Sequence, residues 1–354
     1  MYRLLLLAVV LPLTAPSDLG RAASKQFDVD IVAIALSGRQ TNLTHNPAID
    51  AAPAVARDGR IVFVSNREGN PDLYLMDGDG RNVTKLTNGG GVALDEDLEW
   101  TQASWSPRGD SVAFDGKYEA LGPPCEQHCA GWNVLVVRSD GSGLRRIALG
   151  ARAPDWSRDG RRLVYASGLD AYYAAGSVTI SRLDGSATVQ VKAINGFSSV
   201  GPVWSPGGDQ VAFQAQPAEG SGTSIYLIGA DGRRRRRLAP GHNPVWSPDG
   251  KRLAYIDHCR LLTIGRNGNG RRRLSRNGEL VIGAAWSPSG GMLAYVAGTQ
   301  ASCAGGPRNL RLETVTTDGK RVHVLARESR SSRFVGSGPV WTPNGRRILL
   351  VEYR

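Results

Sequence analysis

The four cysteines are the residues of this sequence most able to carry covalent or metal chemistry. Cys125 and Cys129 enclose His128 in a C-x3-C spacing, whereas Cys259 and Cys303 are far apart along the chain. An even number of cysteines favours disulfide bonds in an exported protein, and four cysteines allow three pairings. The alternative is a Cys/His metal site, but one histidine inside a C-x3-C spacing is not a strong zinc pattern.

Two further histidines, His45 and His242, each begin a His-Asn-Pro tripeptide. Imidazoles brought together could bind a divalent ion, but Asn-Pro is also an ordinary loop dipeptide, so a polar surface is the favoured interpretation. The acidic run 95–99, which precedes Trp100, is open to a similar choice. It is either a site for calcium or a basic partner segment, or a solvated charge run, and the second interpretation is favoured.

Arginine dominates the charge of the chain. The formal net charge is +11, from 43 Lys+Arg against 32 Asp+Glu. Clusters of arginine could contact anionic lipid, an anionic envelope polymer or nucleic acid. Nucleic acid is the least favoured because no aromatic residues are interleaved for base stacking, and such arginines also protect outer strands from edge-to-edge pairing. The clusters are Arg271–Arg273 and the run of Arg233, Arg234, Arg235, Arg236 and Arg237.

A repeat that covers almost the whole chain must position these residues. The phrase Pro-x-Trp-Ser-Pro-x-Gly, complete or degenerate, recurs at intervals of 40–55 residues near positions 53, 103, 154, 202, 244, 284 and 339. Each copy predicts a strand leading into the tryptophan, a tight turn at the Pro and Gly, and a second apolar strand. A third strand then ends at an Asp-Gly hairpin turn and leads to a fourth. This period and content predict one blade of a β-propeller per repeat.

The two ends of the chain complete the count of blades. The last repeat has residues for only two strands, and residues 30–44 resemble the second half of a repeat, as found at 72–87. We therefore predict an all-β, seven-bladed β-propeller of four-stranded antiparallel blades, closed by pairing of the N- and C-terminal strands. A six-bladed ring is the alternative.

The N-terminal segment predicts export. Arg3 is followed by a short apolar stretch at 4–15 and by small residues near Ser24. These features predict a cleaved signal peptide at 1–24, a single propeller domain at 25–354, and a periplasmic or secreted location. No apolar run in the sequence is long enough for a transmembrane helix.

The repeats resemble a known family. The phrase Pro-Val-Trp-Ser-Pro-Asp-Gly, a tyrosine-containing strand ending in Asp-x-Asp-Gly, and a following Leu-Thr pair are similar to TolB-type, or WD-like, propeller repeats, most closely at 43–87. The resemblance extends over roughly residues 28–354 and implies a TolB-family propeller that acts as a binding scaffold. Two differences are expected. The segment before residue 28 is too short for the α/β domain of TolB itself, and the G-x-S-x-G motif of related hydrolases is missing.

On a propeller of this kind the variable loops are expected to recognise partners. The loops between second and third strands range from five residues at 256–260 to nineteen at 115–133. We predict a scaffold that binds other proteins through these loops, without enzymatic activity or a cofactor. The alternatives are a propeller enzyme, such as a glycan lyase or hydrolase with a His or metal site at the channel mouth, and a carbohydrate or small-ligand binding module.

The candidate site residues lie in these loops and in the connections between blades. The favoured disulfides are Cys125–Cys129 and Cys259–Cys303, because the second pair occupies equivalent loops of neighbouring blades. The aromatic side chains could contact a partner or pack their own loops. The candidate residues of the rim are Trp100, Tyr118, Trp132, Tyr172, Tyr173 and His242.

Overall fold

Twenty-eight β-strands form seven four-stranded antiparallel sheets in the computed structural model of this chain. The sheets are the blades of a seven-bladed β-propeller, which confirms the predicted fold; the six-bladed alternative is wrong. In the described residues, no helix has the length and apolar character that a membrane span requires. The structure describes residues 28–88, 102–116, 132–169, 175–184, 186, 189–192, 200–215, 222–299, 308–329 and 332–354.

The chain enters the ring in the blade that it will also complete, here called blade 7. Its first two strands are β1 (Val29–Ala35) and β2 (Gln40–Asn42). Blade 1 contains β3 (Asp50–Val55), β4 (Ile61–Ser65), β5 (Asp72–Met76) and β6 (Thr84–Lys85). Blade 2 contains β7 (Ala103–Trp105), β8 (Ser111–Gly116), β9 (Asn133–Arg138) and β10 (Arg145–Leu149). Blade 3 contains β11 (Ala151–Trp156), β12 (Arg162–Leu169), β13 (Ala175–Arg182) and β14 (Val189–Lys192).

The remaining blades follow in the same order around the ring. Blade 4 contains β15 (Val200–Trp204), β16 (Gln210–Ala215), β17 (Ser224–Gly229) and β18 (Arg236–Pro240). Blade 5 contains β19 (His242–Trp246), β20 (Arg252–Asp257), β21 (Arg260–Gly265) and β22 (Arg272–Arg273). Blade 6 contains β23 (Glu279–Trp286), β24 (Met292–Thr299), β25 (Arg308–Thr316) and β26 (Val322–Arg327). Blade 7 ends with β27 (Arg333–Trp341) and β28 (Arg347–Tyr353).

Blade 7 closes the ring by pairing the two ends of the chain. Strand β1 runs antiparallel to β28, with an unbroken register from Val29 opposite Tyr353 to Ala35 opposite Arg347. The strand order is β2-β1-β28-β27, so neither β1 nor β28 has a free edge. The predicted sharing of one blade between the termini is therefore confirmed.

The hydrophobic core lies between blades rather than within them. One cluster, for example, combines Val62 and Leu73 of blade 1 with Phe114 and Leu135 of blade 2, all fully buried. Because both faces of each blade are covered by a neighbour, the second and third strands are continuous apolar runs instead of alternating ones. Every blade thus depends on its two neighbours for burial.

The repeated tryptophans bond each blade to the preceding one. The indole Nε1 of Trp105 donates to the carbonyl of Ala54 at 2.9 Å, and Ala54 stands just before the equivalent position of blade 1. The same bond, at 3.0–3.3 Å, joins Trp156 to Ser104, Trp246 to Val203, Trp286 to Val245 and Trp341 to Ala285. Trp204 is different: its Nε1 has no acceptor in the described structure. Its backbone N–H instead donates to the carboxylate of Asp155 at 2.7 Å.

The turn after each tryptophan explains the Ser-Pro-x-Gly part of the phrase. In blade 5, Gly250 donates to the carbonyl of Ser247 at 2.8 Å and adopts a φ of +67°. The Ser247 hydroxyl accepts from the backbone N–H of Arg252 at 2.9 Å and donates to Asp249. Glycine adopts this left-handed conformation without strain, so the repeat requires it there.

Candidate functional site

The antiparallel order of the strands separates the connections into two faces of the ring. The loops from second to third strands and the connections between blades leave one side, which we call the loop face. The turns after the tryptophans and the Asp-Gly turns leave the other side, which we call the turn face. The longest and most variable connections belong to the loop face, which makes it the candidate binding surface.

In blade 1, a buried ion pair lies where the inner strand begins. Asp50, the first residue of β3, is fully buried, and its two carboxylate oxygens lie 3.0 and 3.2 Å from Nη2 of Arg67. The guanidinium of Arg67 also lies 5.1 Å from the ring centroid of Phe63 and 5.0 Å from that of Tyr74. Ion pairing together with contacts to two aromatic rings fixes this cation in a single position.

A second buried cluster joins blades 2 and 3. The carboxylate of Asp115, in β8, accepts hydrogen bonds from the backbone N–H groups of Gln102 at 2.7 Å and Ala153 at 2.9 Å. Nε of Arg152 lies 3.4 Å from the same carboxylate, and its guanidinium carbon lies 3.8 Å from the ring centroid of Trp132. Burial raises the pKa of Asp115 although Arg152 acts in the opposite direction. The cluster therefore combines a desolvated carboxylate with a stacked guanidinium.

Blade 6 places two buried carboxylates around one arginine. Arg311 contacts Glu279 through Nη2 at 3.0 Å and Glu313 through Nε at 2.8 Å. The hydroxyl of Tyr295 donates to Glu313 at 2.6 Å. Burial, reinforced by Glu313, raises the pKa of Tyr295, so the phenol remains a donor. A second guanidinium, that of Arg276, lies 4.0 Å from Glu279, so each carboxylate of this triad has a cation within reach.

The closing blade carries an acidic cluster of the same kind. The buried carboxylate of Asp30 accepts from Thr44 Oγ1 at 2.8 Å and from Asn42 Nδ2 at 2.7 Å. Arg354 lies 3.6 Å from Asp30 and 3.3 Å from the buried Glu352. Charged groups of both signs are thus held in fixed positions in blades 1, 2–3, 6 and 7.

Two of the residues predicted for the rim can be placed. His242 begins β19, is partly buried, and has an imidazole pKa lowered by that burial. Trp132 is fully buried and packs against Arg152, so its side chain lies beneath the surface of the loop face. The remaining predicted rim residues, Trp100, Tyr118, Tyr172 and Tyr173, lie outside the described residues.

The cysteine predictions can be followed only for Cys259. This residue is disulfide-bonded, and it directly follows His258, whose Nδ1 lies 2.8 Å from Asp257. In the described part of the chain, no three His, Cys, Asp or Glu side chains are grouped so that they could hold a metal ion. The predicted partners Cys125, Cys129 and Cys303 lie outside the described residues.

At the turn face, the ring surrounds a cavity of about 660 Å³. Its wall includes Ala54, Ser104, Asp155 and Val340, which are the residues just before the tryptophan positions of blades 1, 2, 3 and 7. Among these four, Asp155 is ionisable; it accepts from the Ser104 hydroxyl at 3.0 Å, and burial raises its pKa to about 6. Because no described residue supplies a cation partner for this carboxylate, the junction of blades 2, 3 and 4 is sensitive to its protonation.

Comparison with known proteins agrees with this architecture. Residues 126–354 match the family model described as PD40, TolB beta propeller domain, and this match covers more than half of the chain. The chain belongs to the TolB β-propeller family. The family assignment confirms the sequence resemblance.

Among relatives of this TolB-family chain, the Tol-Pal system protein TolB of Francisella tularensis subsp. mediasiatica is 26% identical over 270 residues. That alignment covers 69% of this chain and 55% of the relative, so the chain spans little more than half the length of such relatives. Among solved structures, TolB from Acinetobacter baumannii superposes with a TM-score of 0.51 at 16% identity, covering 83% of this chain and 63% of that one.

A second type of fold neighbour is an enzyme. An oligogalacturonate lyase in complex with manganese superposes with a TM-score of 0.64 at 15% identity, covering 92% of this chain and 96% of that one. At such low identity the likeness extends to the fold alone. The fold by itself therefore does not specify what this chain does.

The charge clusters of the loop face were not predicted from the sequence. Arg152 and His242 occupy equivalent positions, four residues before the tryptophan, where blades 1 and 6 have Ala51 and Ile282. A charged residue at this position is a signal that could have located the Asp115–Arg152 cluster. Asp115 and Gln214 also occupy equivalent positions, and they accept the backbone N–H groups of Ala153 and Asn243, one residue after Arg152 and His242.

Proposed function

We propose that this TolB-family chain is an exported binding scaffold that recognises protein partners through its loop face. The ring supplies a rigid frame, and its longest connections lie on that face. Loops on a rigid scaffold are the usual place for recognition.

The observation that carries the proposal is the set of buried charge clusters behind the loop face. Asp50–Arg67, Asp115–Arg152 and the Glu279–Arg311–Glu313 triad hold guanidinium and carboxylate groups without exposing long flexible side chains. The three guanidinium groups are 16–19% exposed and already ordered by these carboxylates, so they lose little entropy on binding a protein partner.

Site-specific photo-crosslinking would test which face binds protein. A photoreactive residue is introduced singly at exposed loop-face positions, namely Glu68, His258 and Arg308. Matched controls carry it at exposed turn-face positions, namely Asp79, Asn269 and Asn344. Cells expressing each variant are irradiated, and crosslinked partners are identified by mass spectrometry.

We expect a shared protein partner to be captured from loop-face positions and to be missing at the turn face. Capture of that partner mainly from turn-face positions would contradict the proposal. An absence of any specific partner at all six positions would also contradict it, since the positions span four different blades.

Export is the second part of the proposal. It is supported by the N-terminal sequence and by the disulfide at Cys259, because disulfides persist in oxidising compartments. We propose cleavage near Ser24 and the pairs Cys125–Cys129 and Cys259–Cys303. Peptide mapping of the non-reduced protein should find these two linked pairs and a mature N-terminus close to residue 25. A full-length chain with reduced cysteines would exclude export.

A further inference from the structure

The turn face has a strongly basic character that the proposed protein-binding function does not use. Between the described strands, its fourteen turns contain sixteen Arg or Lys residues, eleven Asp residues and no Glu. The strand residues that flank these turns add eight arginines and no carboxylate. This face alone therefore carries more positive charge than the +11 of the whole chain, and the rest of the molecule is slightly acidic.

Four of the arginines keep their charge uncompensated because they bond to main-chain carbonyls. Arg158, Arg162, Arg272 and Arg347 donate to main-chain carbonyls of a neighbouring blade at 2.8–3.1 Å. A carbonyl is neutral, so each guanidinium is fixed in place while it keeps its full charge. In contrast, several aspartates of the turns accept the backbone N–H two residues later, as Asp231 does from Arg233. Arg60, Arg81 and Arg266 do pair with Asp58, Asp79 and Asp209, so the other arginines carry the excess positive charge of the face.

The shape and side chains of this face fit a flat partner. All its turns are short, so none projects far beyond the others, and the positive charge follows the ring instead of a single stripe. None of these turns, as bounded by the described strands, contains an aromatic residue. This disfavours stacking on nucleic acid bases. Within the described residues, three large apolar side chains are exposed, and two of them, Leu36 at 43% and Val83 at 37% exposure, also lie here, in adjacent blades.

We propose that the turn face docks the ring onto an anionic phospholipid bilayer. The arginines would contact lipid phosphates, and Leu36 and Val83 would enter the interfacial region. In this orientation the loop face points away from the bilayer and stays accessible to other proteins. This inference does not depend on the protein partner, so either proposal can fail without the other.

Sedimentation with lipid vesicles tests the proposal. The protein is mixed with phosphatidylcholine vesicles, or with vesicles containing about 30% phosphatidylglycerol, at about 50 mM and about 300 mM salt. Wild type should bind the anionic vesicles, bind more weakly at high salt, and not bind the neutral ones. Binding to both vesicle types alike would overturn the proposal.

Matched charge variants distinguish an effect of the turn face from an effect of the overall net charge. R233Q/R234Q/R235Q removes three exposed turn-face arginines, and R260Q/R308Q/R327Q removes three exposed arginines at the loop-face ends of strands. We expect the first triple to lower the vesicle partition coefficient at least about tenfold and the second less than about twofold. Equal losses would show that net charge alone governs binding and would overturn the proposal.

Two further variants test for a folding defect and for binding to a polyanion other than lipid. R39Q/R81Q/R346Q, on blades 7 and 1, should weaken binding like the first triple, with thermal melts unchanged in both. L36S/V83S should weaken binding to anionic vesicles without changing retention on heparin, since only a bilayer has an apolar interior. Retention on heparin or DNA by a protein that does not bind vesicles would contradict a lipid partner.

Discussion

Asp155 is the residue at which pH should affect the ring most directly. It joins Ser104 of blade 2 to Trp204 of blade 4, and it has no ionic partner in the described structure. Burial raises its pKa to about 6, above the usual carboxyl value of 3.8. A carboxyl whose pKa is raised by folding favours the native state below its unfolded pKa, and this contribution is lost as pH rises through the folded pKa.

The comparison of wild type with Asp155→Asn isolates this effect, because asparagine does not titrate. Between pH 4 and 8, the free energy of unfolding of wild type should fall relative to the variant by about 2 kcal/mol, after allowance for screening by channel water. Chemical denaturation of both proteins across this range measures the difference. A difference in unfolding free energy between the two proteins that does not change with pH would show that Asp155 is solvated like an ordinary surface carboxylate.

Gly250 tests the backbone conformation of the repeated turn. Its φ of +67° is strained for any β-branched residue, although an added Cβ would meet its nearest neighbour, Pro206, only at 3.6 Å. Gly250→Val should therefore destabilise the protein by about 1–3 kcal/mol through strain rather than steric overlap. Gly291→Val is the matched control, since that glycine lies in an equivalent turn without a positive φ. Equal melting temperatures for the two variants would refute this explanation.

At the scale of elements, the tryptophan bonds determine how one blade holds the next. Trp286 and Trp204 are similarly buried, at 7% and 6% exposure, but Trp286 donates to Val245 and Trp204 has no acceptor in the described structure. Both Trp→Phe changes remove similar volume, so Trp286→Phe should cost about 1 kcal/mol more than Trp204→Phe. Urea denaturation of the two variants gives the difference. A larger loss at Trp204 would mean that packing, not the hydrogen bond, joins the blades.

The elements themselves were largely predictable, because each depends on local signals. Pro and Gly in the turn phrase and the apolar runs around it located the first three strands of each blade. The fourth strands are less regular: they range from the two residues of Thr84–Lys85 to the six of Val322–Arg327, since outer strands pack on one side only. Their lengths are set by tertiary packing rather than by the residues themselves.

The charge clusters were not predictable for a different reason. Asp115 meets Arg152 across a gap of 37 residues and a blade boundary, at a point where the register of β11 shifts between Arg152 and Asp155. A one-residue difference in such a bulge moves a side chain to the opposite face. Sequence spacing does not specify the bulge, so these contacts emerge only from the folded ring.

At the scale of the whole molecule, closure through β1 and β28 gives the ring two faces of different character. The turn face is short-looped and basic, whereas the loop face carries the long connections with paired charges behind them. The order of strands in each blade fixes this division, because every second connection emerges on the same side. On the two proposals made above, one molecule would contact a protein through its loop face and a bilayer through its turn face.

Hydrogen–deuterium exchange of the full-length protein tests this two-face account most directly. Exchange is measured for the protein alone, for its complex with the partner identified by crosslinking, and for the protein bound to anionic vesicles. We predict that the partner slows exchange in loop-face segments such as 66–71 and 257–260, and that vesicles slow it in turn-face segments such as 230–235 and 266–271. Protection of the same segments by both, or of turn-face segments by the protein partner, would contradict the account.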